Sequence, residues 1–341
     1  MRKIVVVIVS TIFILLSLNL YAADKPIKLV FTHWEPPSGA GASTAVEFCK
    51  ELEERTGGRV KAEPALAGSL GPTAEQFELI ASGMADLGGF IPAYTPGRFP
   101  LLSLMVELPH RVSTTKPLTK TYNEMIAKGY FDAEVKPTKL LWVSSVTPLQ
   151  IMSRKKIDTL EGLKGKKIRT SGEFWQAMAP KLGIIPVAVT ISDMYSAIDK
   201  GVVDGTFLPY SIMNVFKIKE VVKHVLEINL TYTCFAYAIN RSVYDKLPAD
   251  IRAIIDELAK KYSKIEAAKH DEWDRKGKES FLALGDGREV HPLSAADWTK
   301  MKGIIATISD EWINQREAKG YPARKFIDDL NATLKKNGIS E

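Results

Sequence analysis

The side chains able to do chemistry are few and scattered along these 341 residues. His33, His110, His224, His270 and His291 include no pair four residues apart, and Cys49 and Cys234 form no Cys-x-x-Cys. Zinc motifs rest on such local pairs, so no metal is expected, and no cofactor either. Gly39-Ala40-Gly41 follows an apolar run but lacks the third glycine of a dinucleotide loop. Neither a phosphate-cradling Walker loop nor a Gly-x-Ser-x-Gly elbow is present. Ser113-Thr114-Thr115-Lys116 has the Ser-x-x-Lys spacing that sets an amine one helical turn from a hydroxyl. Pro117 disfavours helix at Lys116, and no Ser-Asp-Asn or Lys-Thr-Gly partner occurs. A periplasmic Ser-Lys acyl-enzyme (Ser113, Lys116) is therefore the alternative reading, beside a plain helix cap. Arg169 carries a planar five-donor fork suited to a carboxylate. It also follows Lys166-Lys167, and the residues alone leave a ligand role and a solvated basic run equal.

These residues must be placed by elements that alternate strand and helix, the mark of α/β architecture. Strands are expected at Ile27 to Phe31, Val60 to Glu63, Ala85 to Phe90, Lys139 to Val143, Lys167 to Thr170 and Ile185 to Val189. Ser43, a Thr73-Ala74-Glu75-Gln76 capping box and Ser192 are expected to start helices. Ser82-Gly83-Met84-Ala85-Asp86 is echoed by Lys200-Gly201-Val202-Val203-Asp204, each reading as helix, left-handed Gly stop, then Asp entering a strand. Beyond Ile239 the pattern becomes helical, with a long helix from Pro248 to about Gly285 and two more over 294–319 and 324–337.

Composition limits the classes. With 45% apolar and 25% charged residues, the chain is an ordinary globular one of about two domains, neither disordered nor multi-spanning. Met1-Arg2-Lys3, an apolar run to Leu20 and Tyr21-Ala22-Ala23 read as a cleaved secretory leader over residues 1–23. That run, Ile4 to Leu20 and interrupted by Ser10, Thr11, Ser17 and Asn19, falls short of the roughly 20 residues needed to span a bilayer. Without Arg2 and Lys3 there are 44 basic against 40 acidic residues, or +4, too little for a nucleic-acid footprint. Ala45, Phe48, Cys49 and Leu52 recur at helical spacing, which favours two separately buried thiols over a disulfide.

Several stretches then resemble, in family order, the DctP-type solute-binding subunits of TRAP (tripartite ATP-independent periplasmic) transporters. They are Glu53-Glu54-Arg55-Thr56-Gly57-Gly58-Arg59-Val60, Gly68-Ser69-Leu70-Gly71, Ser82 to Asp86 and Pro96-Gly97-Arg98-Phe99-Pro100. Leu160-Glu161-Gly162-Leu163-Lys164-Gly165-Lys166-Lys167-Ile168-Arg169 is the strongest. Ser192 to Ile198, Gly201 to Gly205, Asn240 and Leu247-Pro248 complete the series. The resemblance implies a two-lobed periplasmic binding protein fold, with the ligand cleft between lobes and a long helix spanning both. It places 24–146 with 232–270 in one lobe, 147–231 with 271–320 in the other, and a C-terminal helix over 321–341. It implies no catalysis, and partners in an organic-acid ligand and the small and large membrane subunits. A sensory receptor is a third reading, and the oligomeric state is open between monomer and dimer.

The family's carboxylate-binding arginine matches Arg169. Some acidic-sugar and dicarboxylate binders carry a second arginine about twenty positions earlier, where this chain has Leu149. Many have Glu-Asn-Pro where this chain has Phe207-Leu208-Pro209. Burying a second carboxylate without a cation is costly. The expected ligand is thus a monocarboxylate with an aromatic or apolar body, with a small 2-oxo acid or dicarboxylate as the alternative. Trp34, Phe90, Tyr94, Phe174, Trp175, Phe207 and Tyr210 are the aromatic candidates for the pocket, each equally readable as core. His33 and Glu35 are candidates for its polar end or for a solvated rim.

Overall fold

The computed structural model describes residues 25–230 and 233–339, so the expected leader lies outside the described residues. In chain order, β1 (Ile27–Thr32), α1 (Ala40–Arg55), β2 (Val60–Ala65), α2 (Gln76–Ser82) and β3 (Leu87–Phe90) come first. Next are α3 (Pro100–Glu107), α4 (Lys116–Ile126), β4 (Thr138–Ser145), β5 (Leu149–Ser153) and β6 (Lys167–Thr170). The chain continues through α5 (Glu173–Lys181), β7 (Ile185–Ala188), α6 (Met194–Asp199), β8 (Gly205–Leu208) and α7 (Tyr210–Met213). It ends with β9 (His224–Leu230), β10 (Cys234–Asn240), α8 (Arg241–Lys246), α9 (Ala249–Leu282), β11 (Glu289–Pro292), α10 (Ala295–Ala318) and α11 (Ala323–Lys336).

Two sheets organise these elements into two lobes. The first has the order β2-β1-β3-β10-β4 and the second β11-β9-β5-β8-β6-β7. The chain leaves the first sheet after β4 and returns to it as β10. Parallel pairs β1/β2, β1/β3, β6/β7 and β6/β8 form the βα-crossover part of each sheet, while β10 and β5 run antiparallel to their neighbours. One helix bridges the lobes. α9 packs on α1 and β4 of the first lobe and on α7 of the second. It runs unbroken through residue 270, where a lobe boundary was expected. Its Glu266 accepts from Trp142 Nε1 (2.9 Å) and Tyr237 Oη (2.5 Å), fixing its midpoint to the first sheet. At Gly277 a Cβ would stand 2.1 Å from the Tyr210 carbonyl oxygen, so the glycine lets α7 seat directly on the helix.

The internal echo has a structural counterpart. Gly83 (φ 80°) and Gly201 (φ 72°) both take the left-handed conformation at a helix end. Asp86 and Asp204 then make matching bonds. Asp86 Oδ2 accepts from Val30 N at 2.7 Å while Asp86 N donates to Val30 O; Asp204 Oδ2 accepts from Lys167 N at 2.8 Å while Asp204 N donates to Lys167 O. In each lobe one aspartate thereby clips the incoming chain to the strand beside it.

Three expected caps are absent. Ser43 lies inside α1, whose N-cap residue is Gly39. Thr73 begins a short 3-10 turn without a side-chain cap bond, and Gln76 instead ties α2 to β1 through Thr32 Oγ1. α6 starts after Asp193, whose N–H donates to the hydroxyl of Thr190, not of Ser192. Lys116 is helical despite Pro117, because a first-turn proline gives up only an N–H that lacks a helical partner anyway. Cys49 and Cys234 are buried free thiols. A hydrogen bond to an ionised side chain contributes about 1.5–3 kcal/mol. Asp86→Ala and Asp204→Ala are each expected to cost about that much, discounted by partial exposure, as measured by urea unfolding.

Candidate ligand cleft

Strands that end side by side deliver their next residues to one place. Trp34 follows β1, Ile91 and Tyr94 follow β3, Ile191 follows β7, and Pro209 and Ile212 follow β8. With Val146, Leu208, Thr233 and Phe235 they enclose one seam between the lobes. None of these ten residues is charged. The void left among them is about 10 Å³, scarcely room for one water, so the lobes are closed on each other.

Arg169 stands at the edge of this seam. It sits on β6 beside β7 and is buried. Nε donates to Val189 O at 3.0 Å, and Nη2 donates to Tyr94 Oη at 2.7 Å. Tyr94 belongs to the first lobe and Arg169 to the second, so the second bond crosses the cleft.

Two polar shells support the walls. Behind Trp34 lies His33, whose ring stacks on the indole at 4.2 Å and is fully buried. His33 Nδ1 accepts from Glu35 N at 3.1 Å, and Nε2 is 3.2 Å from Tyr237 Oη. Burial first, then the nearby His270, pushes its pKa down to about 3, so the ring is neutral. Glu35 is buried rather than at a solvated rim. Its Oε2 accepts from Gly41 N (2.8 Å) and Ala42 N (3.1 Å), holding the start of α1. Burial raises its pKa to about 7 against those bonds and His270.

The other wall is held similarly. Glu107, the last residue of α3, accepts from Phe174 N at 3.2 Å and so holds the start of α5. Burial is the main cause that lifts its pKa to about 8, aided by Glu173 and opposed by the α5 amides and Arg316. A Cβ at Gly172, which has φ +82°, would lie 2.5 Å from the Glu107 carboxylate. Only glycine lets that carboxylate reach the helix.

Of the residues named from sequence, Trp34 and Leu208 line the void, and Arg169 and Tyr94 meet at its edge. Phe90 packs with Phe77 and Phe99, Phe174 with Trp312, and Trp175 with Phe207. Leu149 is buried opposite Leu230 in the second sheet. Tyr210 faces a different cavity of about 530 Å³, lined also by Arg111, Ser113, Gln150, Glu227, Asn229, Asp274 and Lys278. That larger cavity is polar and internally paired: Glu227 takes bonds from Lys278 (2.6 Å) and Tyr210 (3.1 Å). Ser113 there is exposed and precedes α4, so Ser113 and Lys116 do not share a helical turn. Ile91, Ile191 and Ile212 were missed because aliphatic residues read as core, though their place after strand ends was an available signal; Phe235, the second residue of β10, carried no such signal.

A two-lobed α/β molecule with an apolar seam between its lobes and a guanidinium at the seam's edge is built as a ligand-capturing receptor. The family model of the bacterial extracellular solute-binding proteins, family 7 (DctP), matches residues 31–315, and the chain belongs to that family. Its members are substrate-binding proteins of transporters, not enzymes. The C4-dicarboxylate-binding periplasmic protein DctP of Rhodobacter capsulatus is 25% identical over 333 residues, 95% of this chain and 98% of that protein. A marine metagenome TRAP solute binding protein specific for aromatic acid ligands, solved with metahydroxyphenylacetate, superposes with a TM-score of 0.85 at 23% identity, covering 92% of this chain and 99% of that one. A TRAP solute binding protein from Rhodoferax ferrireducens, solved with copurified benzoate, gives 0.84 at 24% identity over 91% and 98%. These two likenesses establish the fold. Among the described residues no helix is long and apolar enough to cross a membrane.

The buried glutamates give a pH signature. Glu107 holds a proton in the fold up to about pH 8 but releases it near its ordinary 4.5 when unfolded. The folded state therefore binds more protons between those values, and stability falls as pH rises through them. The melting temperature is expected to drop from about pH 5 to about pH 8.5, and Glu107→Gln is expected to flatten the drop. An unchanged slope in that variant counts against Glu107 as its source.

Proposed function

We propose that the chain is a periplasmic receptor that captures a monocarboxylate with an aromatic or apolar body and hands it to the small and large membrane subunits of a TRAP transporter. The observation that carries this reading is the setting of Arg169: one buried guanidinium at the edge of a seam lined by ten uncharged residues. A carboxylate can take two parallel bonds from the fork while its body displaces the apolar contacts among Trp34, Leu208, Ile212 and Phe235. Leu208, which lines the seam, supplies no partner for a second carboxylate. Bound aromatic acids in two structures of the same fold support the same class. The lobes must part to admit such a body and close over it, which is a hinge motion. A second reading, capture of a small dicarboxylate, is favoured by the name of the Rhodobacter capsulatus relative.

Calorimetry and melting shifts with benzoate, phenylacetate, a 2-oxo acid and succinate separate the two. The expected result is stabilisation by the aromatic acids that rises with concentration, and none by succinate. Arg169→Ala removes two charge-assisted bonds of about 1.5–3 kcal/mol each, so affinity is expected to fall roughly 100-fold or more while the protein still melts cooperatively. Tight succinate binding without aromatic binding refutes the pocket assignment and leaves the family intact. Undiminished affinity in Arg169→Ala removes the arginine from the site.

A further inference from the structure

The second sheet carries a cluster of side chains that the cleft does not use. β11 is the edge strand and pairs in parallel with β9, setting Glu289 opposite His224. Side chains two apart on a strand share a face, so His291 joins them. Glu289 Oε2 lies 3.6 Å from His224 Nδ1 and 3.2 Å from His291 Nε2. The three ligand atoms are all within 4.8 Å of one another, and the imidazole planes are 17° from parallel. Both of these ring nitrogens are buried and face the Glu289 carboxylate. Two imidazole nitrogens converge on one carboxylate from two strands, and a single cation would bind all three donors together.

We infer that His224, Glu289 and His291 form a binding site for a divalent d-block cation, with Zn²⁺ as the test ion. Two imidazole nitrogens and a carboxylate oxygen are a zinc donor set that leaves a fourth position for water. The set suits Ca²⁺ and Mg²⁺ poorly, since both take oxygen donors. Tetrahedral arms of about 2 Å put donor atoms roughly 3.3 Å apart, so side-chain rotations close the site without moving the strands. Lys156 is the competing cation, with Nζ 3.9 Å from Glu289 Oε2 but 3.3 Å from Asp158 Oδ2, towards which it can withdraw. A bound ion locks the strand that follows α9 onto the edge of the second sheet. Local spacing hid this group, because strand register and not helical pitch brings its members together.

The test uses untagged protein stripped with a chelator and titrated at pH 7.5 with Zn²⁺ and, separately, Ca²⁺. The expected result is one Zn²⁺ per chain and a melting temperature that rises with Zn²⁺, with no response to Ca²⁺. His224→Gln, His291→Gln and the exposed-site variant Glu289→Gln are each expected to weaken binding by roughly 10–100-fold or more, the loss seen even for outer-shell partners. Lys156→Gln is expected to strengthen it. The inference is overturned if the wild-type chain binds no Zn²⁺, or if binding survives undiminished in Glu289→Gln and in a folded His224→Gln/His291→Gln double variant.

Discussion

A helix whose first turn is buried must find acceptors for amides that have no partner within the helix. This molecule meets that constraint with glutamates brought from elsewhere in the chain. Glu35 holds α1, Glu134 holds α3 through Leu101 N (2.7 Å) and Leu102 N (3.1 Å), and Glu107 holds α5. The last two form a series. Glu134 fixes the first turn of α3, α3 ends in Glu107, and Glu107 fixes the first turn of α5, which begins just beyond the strand of Arg169. On the other wall Glu35 fixes the helix that follows Trp34. Both walls of the cleft are thus set by carboxylates that never reach it. Burial raises the pKa of all three, to about 7, 7 and 8 for Glu35, Glu134 and Glu107. Desolvation therefore outweighs the amide bonds that favour the charged form.

The hydrogen bond from Arg169 to Tyr94 couples those walls. It joins the lobes across the seam at 2.7 Å. Under the proposed function a carboxylate would compete for donors already in use, and affinity would report the difference between old and new bonds. A ligand shifts the open–closed balance only by its preference for one form. A ligand held in the apolar seam would gain that preference there, because contacts from both lobes exist only on closure.

Much of the fold was legible because it is encoded locally. Gly83 and Gly201 stop helices through a left-handed residue, and the Asp86 and Asp204 repeats mark equivalent places in two similar lobes. Ser43, Thr73 and Ser192 misled for the opposite reason. A nearby hydroxyl is visible in sequence, whereas Glu107 and Glu134 act across 67 and 33 positions. Within the candidate site, Arg169 stood out by its family motif, and Trp34 only as one aromatic among several. The remaining aromatics could not be sorted, since Phe90 and Phe207 alternate with neighbours that face the other way, and register decides which side meets the seam. His33 looked available for hydrogen bonding and is instead a neutral core residue that props Trp34.

The position of β10 has a consequence in time. It lies between β3 and β4, so without it the first sheet is a three-strand fragment and a detached strand. Residues up to Asn240 must be synthesised before that sheet can close. The second sheet, by contrast, lacks only its edge strand β11 once Leu230 has emerged. The sheet that starts the chain is therefore still divided when all but one strand of the other is available, a departure from the usual N-terminus-first order of folding during synthesis.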